Sequence, residues 1–154
     1  MMTPPLTPAP SLGPSVGPSP APKPALTLGP FAVAADGTLA PRAPGLSPAI
    51  RFAWRGRLCE ARLQEGALRL RAIAGRIPST AEPGADRHFT ARAVAALPAE
   101  MPEGWQLRLT PDHRVALERQ EAPRTTAVSL LAEMVRFALA LDPHLERLEG
   151  VGAR

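Results

Sequence analysis

The sequence predicts an α+β protein. It reads as a five-stranded antiparallel sheet in the order β-β-β-α-β-β-α, with a middle helix and a long C-terminal helix, preceded by a disordered proline-rich arm. Three observations carry this expectation. Residues 49–72 alternate apolar and polar side chains through two tight turns in one consistent register. A second alternating pair of segments flanks Pro111-Asp112-His113. Leu130, Met134, Phe137, Leu141, Leu145 and Leu148 recur at spacings of three and four, the period of a helix with one buried face.

Of the 20 prolines, 10 fall in the first 30 residues, interleaved with Ser, Gly, Ala and Thr. So few apolar side chains cannot offset an ordering cost of roughly 1–2 kcal/mol per residue. Residues 1–26 are therefore expected to form a disordered arm with polyproline II bias. Pro5-Leu6-Thr7-Pro8 matches PxxP, a pattern that docks on aromatic grooves, but composition alone produces it here and a spacer is the simpler reading. Residues 27–48 are expected to lie on the domain as an extended segment or short hairpin, with Asp36-Gly37 as the turn. Pro41, Pro44 and Pro48 confine any strand there to an edge. The α+β domain itself is placed at residues 49–154.

Ile50, Phe52 and Trp54 share one face of a first strand. With Arg55-Gly56 and Glu65-Gly66 as two-residue loops, Trp54 pairs with Arg57 and Gln64 with Ala67. That register puts Cys59, Ala61, Leu63, Leu68, Leu70 and Ala72 on the same face, and a slip of one residue in any strand would destroy the agreement. Asp86 can cap a middle helix whose apolar stripe is Phe89, Ala93, Ala96 and Leu97, stopped by Pro98 and Pro102. Trp105, Leu107 and Leu109 then pair with a strand carrying Val115 and Leu117, and His113 suits the left-handed third position of the loop. Thr125 or Thr126 caps the last helix. Leu131, Val135 and Ala138 widen its stripe, so it packs deeply or on two sides. Asp142-Pro143 is expected to break it, with Asp142 capping a short terminal helix.

Composition narrows the function classes. Cys59 is the sole cysteine, so neither an intramolecular disulfide nor a cysteine-based metal site is expected, in keeping with a cytoplasmic location. No Lys or Arg precedes Lys23 and prolines interrupt every early apolar run, which argues against a signal peptide. No apolar run approaches the ~20 residues of a membrane span. The pI of 10.9 accompanies a net charge of only +4, with 17 Arg, one Lys and no Tyr. That ratio, beside abundant Ala, Pro and Gly, is the imprint of GC-rich coding, and nucleic acid is the less favoured partner.

No catalytic or cofactor motif emerges: HExxH, CxxC and GxGxxG are all absent from the sequence. His88, His113 and His144 are far apart, at positions expected to be exposed, while Cys59, Trp54 and Trp105 fall on apolar faces. No catalytic, metal or cofactor site is expected, and the protein reads as non-enzymatic. On the outer sheet face Glu60 stands opposite Arg51 and Arg71, a salt-bridge ladder. The alternative is an arginine docking patch of Arg51, Arg55, Arg62, Arg69 and Arg71.

The element order, together with the strand Leu68-Arg69-Leu70-Arg71-Ala72-Ile73-Ala74 running into Gly75-Arg76-Ile77-Pro78, resembles the type III secretion chaperone-like fold, including the Tir chaperone family, over residues 49–149. The resemblance implies a non-enzymatic dimer that holds an extended stretch of a secreted partner along apolar patches and a sheet edge. Family members begin with a helix and tend to be acidic; this chain has a proline-rich arm there and is basic. The expected function is a non-catalytic protein-binding module, chaperone- or adaptor-like, with a protein partner and a homodimeric state. The alternatives are nucleic-acid binding through the arginine face and an enzyme of unrecognised type. Deleting residues 1–26 is expected to leave the melting temperature nearly unchanged, because they offer the core no periodic apolar face. Thermal unfolding of the truncated chain checks this, and a drop of several degrees would place the boundary elsewhere.

Overall fold

A computed structural model describes residues 26–43, 45 and 47–154. The expected arm lies outside the described residues, apart from Leu26, which opens the first strand. The elements are β1 (Leu26–Leu28), β2 (Phe31–Val33), β3 (Leu39–Pro41), β4 (Ala49–Trp54), β5 (Arg57–Gln64), β6 (Ala67–Arg76), α1 (Arg87–Ala96), a 3-10 turn (Leu97–Glu100), β7 (Trp105–Leu109), β8 (Arg114–Glu121) and α2 (Ala127–Gly150). β4 to β8 form the five-stranded antiparallel sheet in the order β4-β5-β6-β8-β7.

The meander follows the expected register, with Trp54 opposite Arg57, Phe52 opposite Cys59, Leu63 opposite Leu68 and Gln64 opposite Ala67. Both loops take positive φ at both central positions, Arg55 (47°) with Gly56 (74°) and Glu65 (52°) with Gly66 (73°). These are the values a type I′ turn demands, and they match the twist of the flanking strands. The second hairpin closes through Thr110 and Arg114, with His113 at φ 60°. β8 lies beside β6, and a bulge between Ile73 and Gly75 shifts their register.

One sheet face and α2 share the core. Cys59, Ala61, Leu68, Leu70, Ala72, Val115 and Leu117 meet Leu130, Phe137, Leu141, Leu145 and Leu148, all buried. Trp105 stacks on Phe137 at 5.3 Å between ring centroids. The partly exposed Trp54 and Trp105 border this cluster, as their alternation predicts. Leu109, expected inside, is more than half exposed on edge strand β7, beyond the cover of α2.

Residues 26–41 do more than lie on the domain. They fold as a second, three-stranded sheet, β1-β2-β3, whose Phe31 and Val33 are buried. Asp36 Oδ1 accepts from the Thr38 amide, and Gly37 turns at φ 85°. The Gly37 carbonyl then accepts from the Ala127 amide at 3.0 Å, and Leu39 donates to the Thr125 carbonyl at 2.8 Å. One of the unsatisfied amides at the start of α2 is thereby met by the hairpin. Thr126 caps the same end in a reciprocal box with Ser129.

Three expectations are corrected. α1 is capped by Asp86 as expected, but it buries Thr90 and Val94 rather than a Phe89-Ala93 stripe, and Phe89 is half exposed. Its partner is the chain end, where Thr90 Oγ1 donates to the Val151 carbonyl at 2.7 Å. Second, Asp142-Pro143 does not interrupt α2, which runs through to Gly150. An internal proline costs about 3 kcal/mol. Leu145 and Leu148, both fully buried beyond it, offset that with roughly 3–6 kcal/mol between them. Asp142 therefore caps nothing; it accepts from Trp54 Nε1 at 2.8 Å. Third, His144 is not at an exposed break. It is half-buried inside the helix, 4.9 Å from the Trp105 ring centroid.

The end of α2 is a Schellman turn. Gly152 takes φ 84°, its amide donates to Glu149, and the Ala153 amide donates to Leu148. Ala153 is fully buried against the bulge glycine of β6, where a Cβ on Gly75 would lie 2.8 Å from the Ala153 carbonyl oxygen. Among the described residues no helix is long and apolar enough to cross a membrane.

Two outcomes follow from this packing. Gly75→Ala should destabilise by about 1–3 kcal/mol, since the new methyl meets backbone that cannot swing aside; thermal melts would show a loss of several degrees. Burial holds the His144 imidazole below its ordinary value of 6.5. The unfolded chain then takes up a proton first as pH falls, so stability present above about pH 6.5 declines below it. Melting temperatures from about pH 7.5 to 5.5 should fall, and His144→Gln should flatten that part of the profile.

Candidate functional site

α2 is apolar on two sides, and the sheet covers only one. The residues between the buried positions, Val128, Leu131, Val135 and Leu139, are 77%, 43%, 58% and 55% exposed. Their spacing of three, four and four sets them in one row along the helix. Single exposed apolar residues are ordinary, whereas these four form one contiguous row on the helix. Leu131 and Val135 were expected to widen the buried stripe, together with Ala138. Ala138 does so, whereas the other two face outward.

Charge is arranged at both ends of this row. At its N-terminal end the buried Glu133 carboxylate accepts from Arg124 at 2.9 Å and Arg136 at 2.8 Å, a paired charge that holds the incoming chain against the helix. At its C-terminal end Asp142 and Glu146 lie 3.4 and 3.5 Å from Arg55, and Glu149 lies 3.1 Å from Arg57. The β4–β5 turn is thus fastened to the acidic end of α2. The hydrogen bond to Asp142 raises the Arg55 pKa further above its ordinary value.

The five arginines of the alternative patch, Arg51, Arg55, Arg62, Arg69 and Arg71, have different surroundings. Arg55 leaves the group, because its positive-φ turn aims it at α2 rather than at the outer sheet face. Arg51 and Arg62 both bind Glu60, at 3.3 and 3.0 Å. Burial alone would raise the Glu60 carboxyl, but hydrogen bonds from Arg62 and Arg51 outweigh it and hold the group below its ordinary value. Arg71 stands opposite Glu60 in register yet turns to Glu118 of β8 at 3.3 Å, where Arg108 joins at 3.0 Å. Arg69 is exposed, paired in register with Arg62 and Gln120. Two acids, Glu60 and Glu118, are thus set among Arg51, Arg62, Arg71 and Arg108 and each binds two of them, while the Arg62–Arg69–Gln120 row carries no acid.

Other chemistry is thin. Cys59 is buried and burial pushes its thiol up to about 11, so at neutral pH it is a protonated, inert group. His88 is exposed on α1, His113 is at a hairpin tip and His144 packs on Trp105, so the three do not converge. Among the described residues no group of three or more His, Cys, Asp and Glu is gathered to hold a metal ion. A cleft of about 390 Å³ lies between the 78–86 loop, α1 and the chain end. Within it Arg76 is paired with Glu82, and the Thr90 hydroxyl donates to the Val151 carbonyl.

The sequence reading missed Val128 and Leu139 as surface residues. The signal was present in the breadth of the α2 stripe, which exceeds what one sheet face covers. Compared with models of known protein families and with curated proteins, the chain matches none.

Proposed function

We propose that this protein is a non-catalytic protein-binding module that engages its partner through the exposed row of α2. The observation that carries the reading is Val128, Leu131, Val135 and Leu139, an apolar row on a helix anchored along its opposite side. A helix so held presents its outer side chains with little ordering cost on binding. The chaperone- or adaptor-like role implied by the resemblance to type III secretion chaperones is consistent with an apolar docking face. The element order from β4 to α2 is the order on which that resemblance rests. A lone, buried Cys59 fits a reducing cytoplasm. Glu60 and Glu118, each bound by two arginines of the outer sheet face, favour protein over nucleic acid as the partner.

Leu139→Glu tests the reading. The side chain is exposed, so the substitution should change stability by no more than about 0.5 kcal/mol. Immobilised wild-type and Leu139→Glu chains should then differ in the proteins they retain from a lysate of the native host, at equal melting temperature. Identical retention by the two would overturn the reading.

A further inference from the structure

We infer that the exposed α2 row is covered by the chain's own proline-rich arm, laid along it in the opposite direction, so that a partner must displace the arm to bind. The inference rests on the proposed binding role of the row and names what regulates it. The arm is tethered beside the row. Leu26 opens β1 and pairs with Val33, Val33 pairs with Leu39, and the Leu39 amide donates to the carbonyl of Thr125, just before α2. Two strand spacings and one further backbone bond set Leu26 roughly 15 Å from Thr125. The segment 13–25 alone reaches roughly 40 Å when extended as polyproline II. Such a tether holds the arm against the row at an effective concentration on the order of millimolar.

Chemistry and spacing fit the arm to the row. Residues 1–25 carry a single charged side chain, Lys23, which lies in the tether, so no charge loses its water against Val128, Leu131, Val135 and Leu139. Leu6, Ala9 and Leu12 are three residues apart, the polyproline II repeat, and so share one edge of such a helix. Leu6 and Leu12 are then about 19 Å apart, against about 17 Å from Val128 to Leu139 along α2. Because the chain enters from the start of α2, Leu12 lies over Val128 and Leu6 over Leu139. The small Ala9 falls between them. Nine prolines among residues 1–25 keep the arm extended before it docks, which lowers the ordering cost. The contact buries too little to join the core and is shed well below the melting temperature, which therefore stays nearly independent of the arm.

Cysteine pairs in the full chain test the cover. Under mild oxidation Leu12→Cys with Val128→Cys, and Leu6→Cys with Leu139→Cys, should link within one chain. Each should do so at least about fivefold faster than Leu12→Cys with Leu58→Cys, an exposed site on the outer sheet face. Cys59 is buried and stays silent in all of them. In a chain carrying Leu6→Ser and Leu12→Ser together, the fluorescence of an added naphthalenesulfonate dye should rise above that of the wild type, and a further Leu139→Glu should remove the rise. Linking no faster than at Leu58, or dye fluorescence unmoved by the arm substitutions, overturns the inference. So do links that join two chains, which place a second copy on the row instead. If the arm fails these tests while Leu139→Glu still alters retention of other proteins, the binding module stands and its row is open. An arm that links while retention is identical keeps the cover and overturns its regulatory role.

Discussion

The burial of one side of α2 on the inner face of the five-stranded sheet is the contact from which the rest of the structure follows. Leu130, Phe137, Leu141, Leu145 and Leu148 lie against Leu68, Leu70, Val115 and Leu117, all nearly solvent-free. Both ends of the helix are finished by segments distant in sequence. The Gly37 carbonyl and Thr126 satisfy its first amides. Its last carbonyls are met by a Schellman turn that inserts Ala153 against Gly75. Helix formation, closure of the N-terminal sheet and docking of the chain end are thus parts of one packing event. The same event explains why Pro143 is tolerated: the helix beyond it is held from outside its own hydrogen-bond ladder.

Covering one side of α2 leaves the other bare. A sheet offers a single inner face, and α1 is short and turned toward the chain end. No element among the described residues is placed to cover Val128, Leu131, Val135 and Leu139. The exposed row is therefore a consequence of the layer arrangement rather than an isolated surface irregularity.

The electrostatics divide the molecule in the same way. On the outer sheet face Glu60 binds Arg51 and Arg62, and Glu118 binds Arg71 and Arg108, within a few ångströms, and such exposed pairs contribute little individually to stability. Around α2 the charges have structural duties. Glu133 is buried and doubly bound, and Arg55 and Arg57 fasten the β4–β5 turn to the C-terminal half of the helix. The high pI follows from composition, an excess of arginine with one Lys and no Tyr, and many of those arginines are ion-paired in the fold.

By itself the amino-acid sequence determined the local geometry. The period-two alternation of Ile50 to Ala72, with Arg55-Gly56 and Glu65-Gly66 at the turns, leaves one register that keeps the apolar side chains together. Asp86, Thr126 and His113 were legible for the same reason, since a cap or a left-handed turn is decided by its immediate neighbours. Of the candidate site, Leu131 and Val135 were visible as surplus to the α2 stripe, but their outward direction was not. That depended on which side the sheet took. Likewise, only the sheet order set Glu118 beside Arg71, only the position of α2 drew Arg55 away from the other arginines, and only the burial of Leu145 and Leu148 carried the helix through Pro143. These features rest on contacts between residues tens of positions apart. Periodicity along the chain reports which side chains share a face, and not what that face meets.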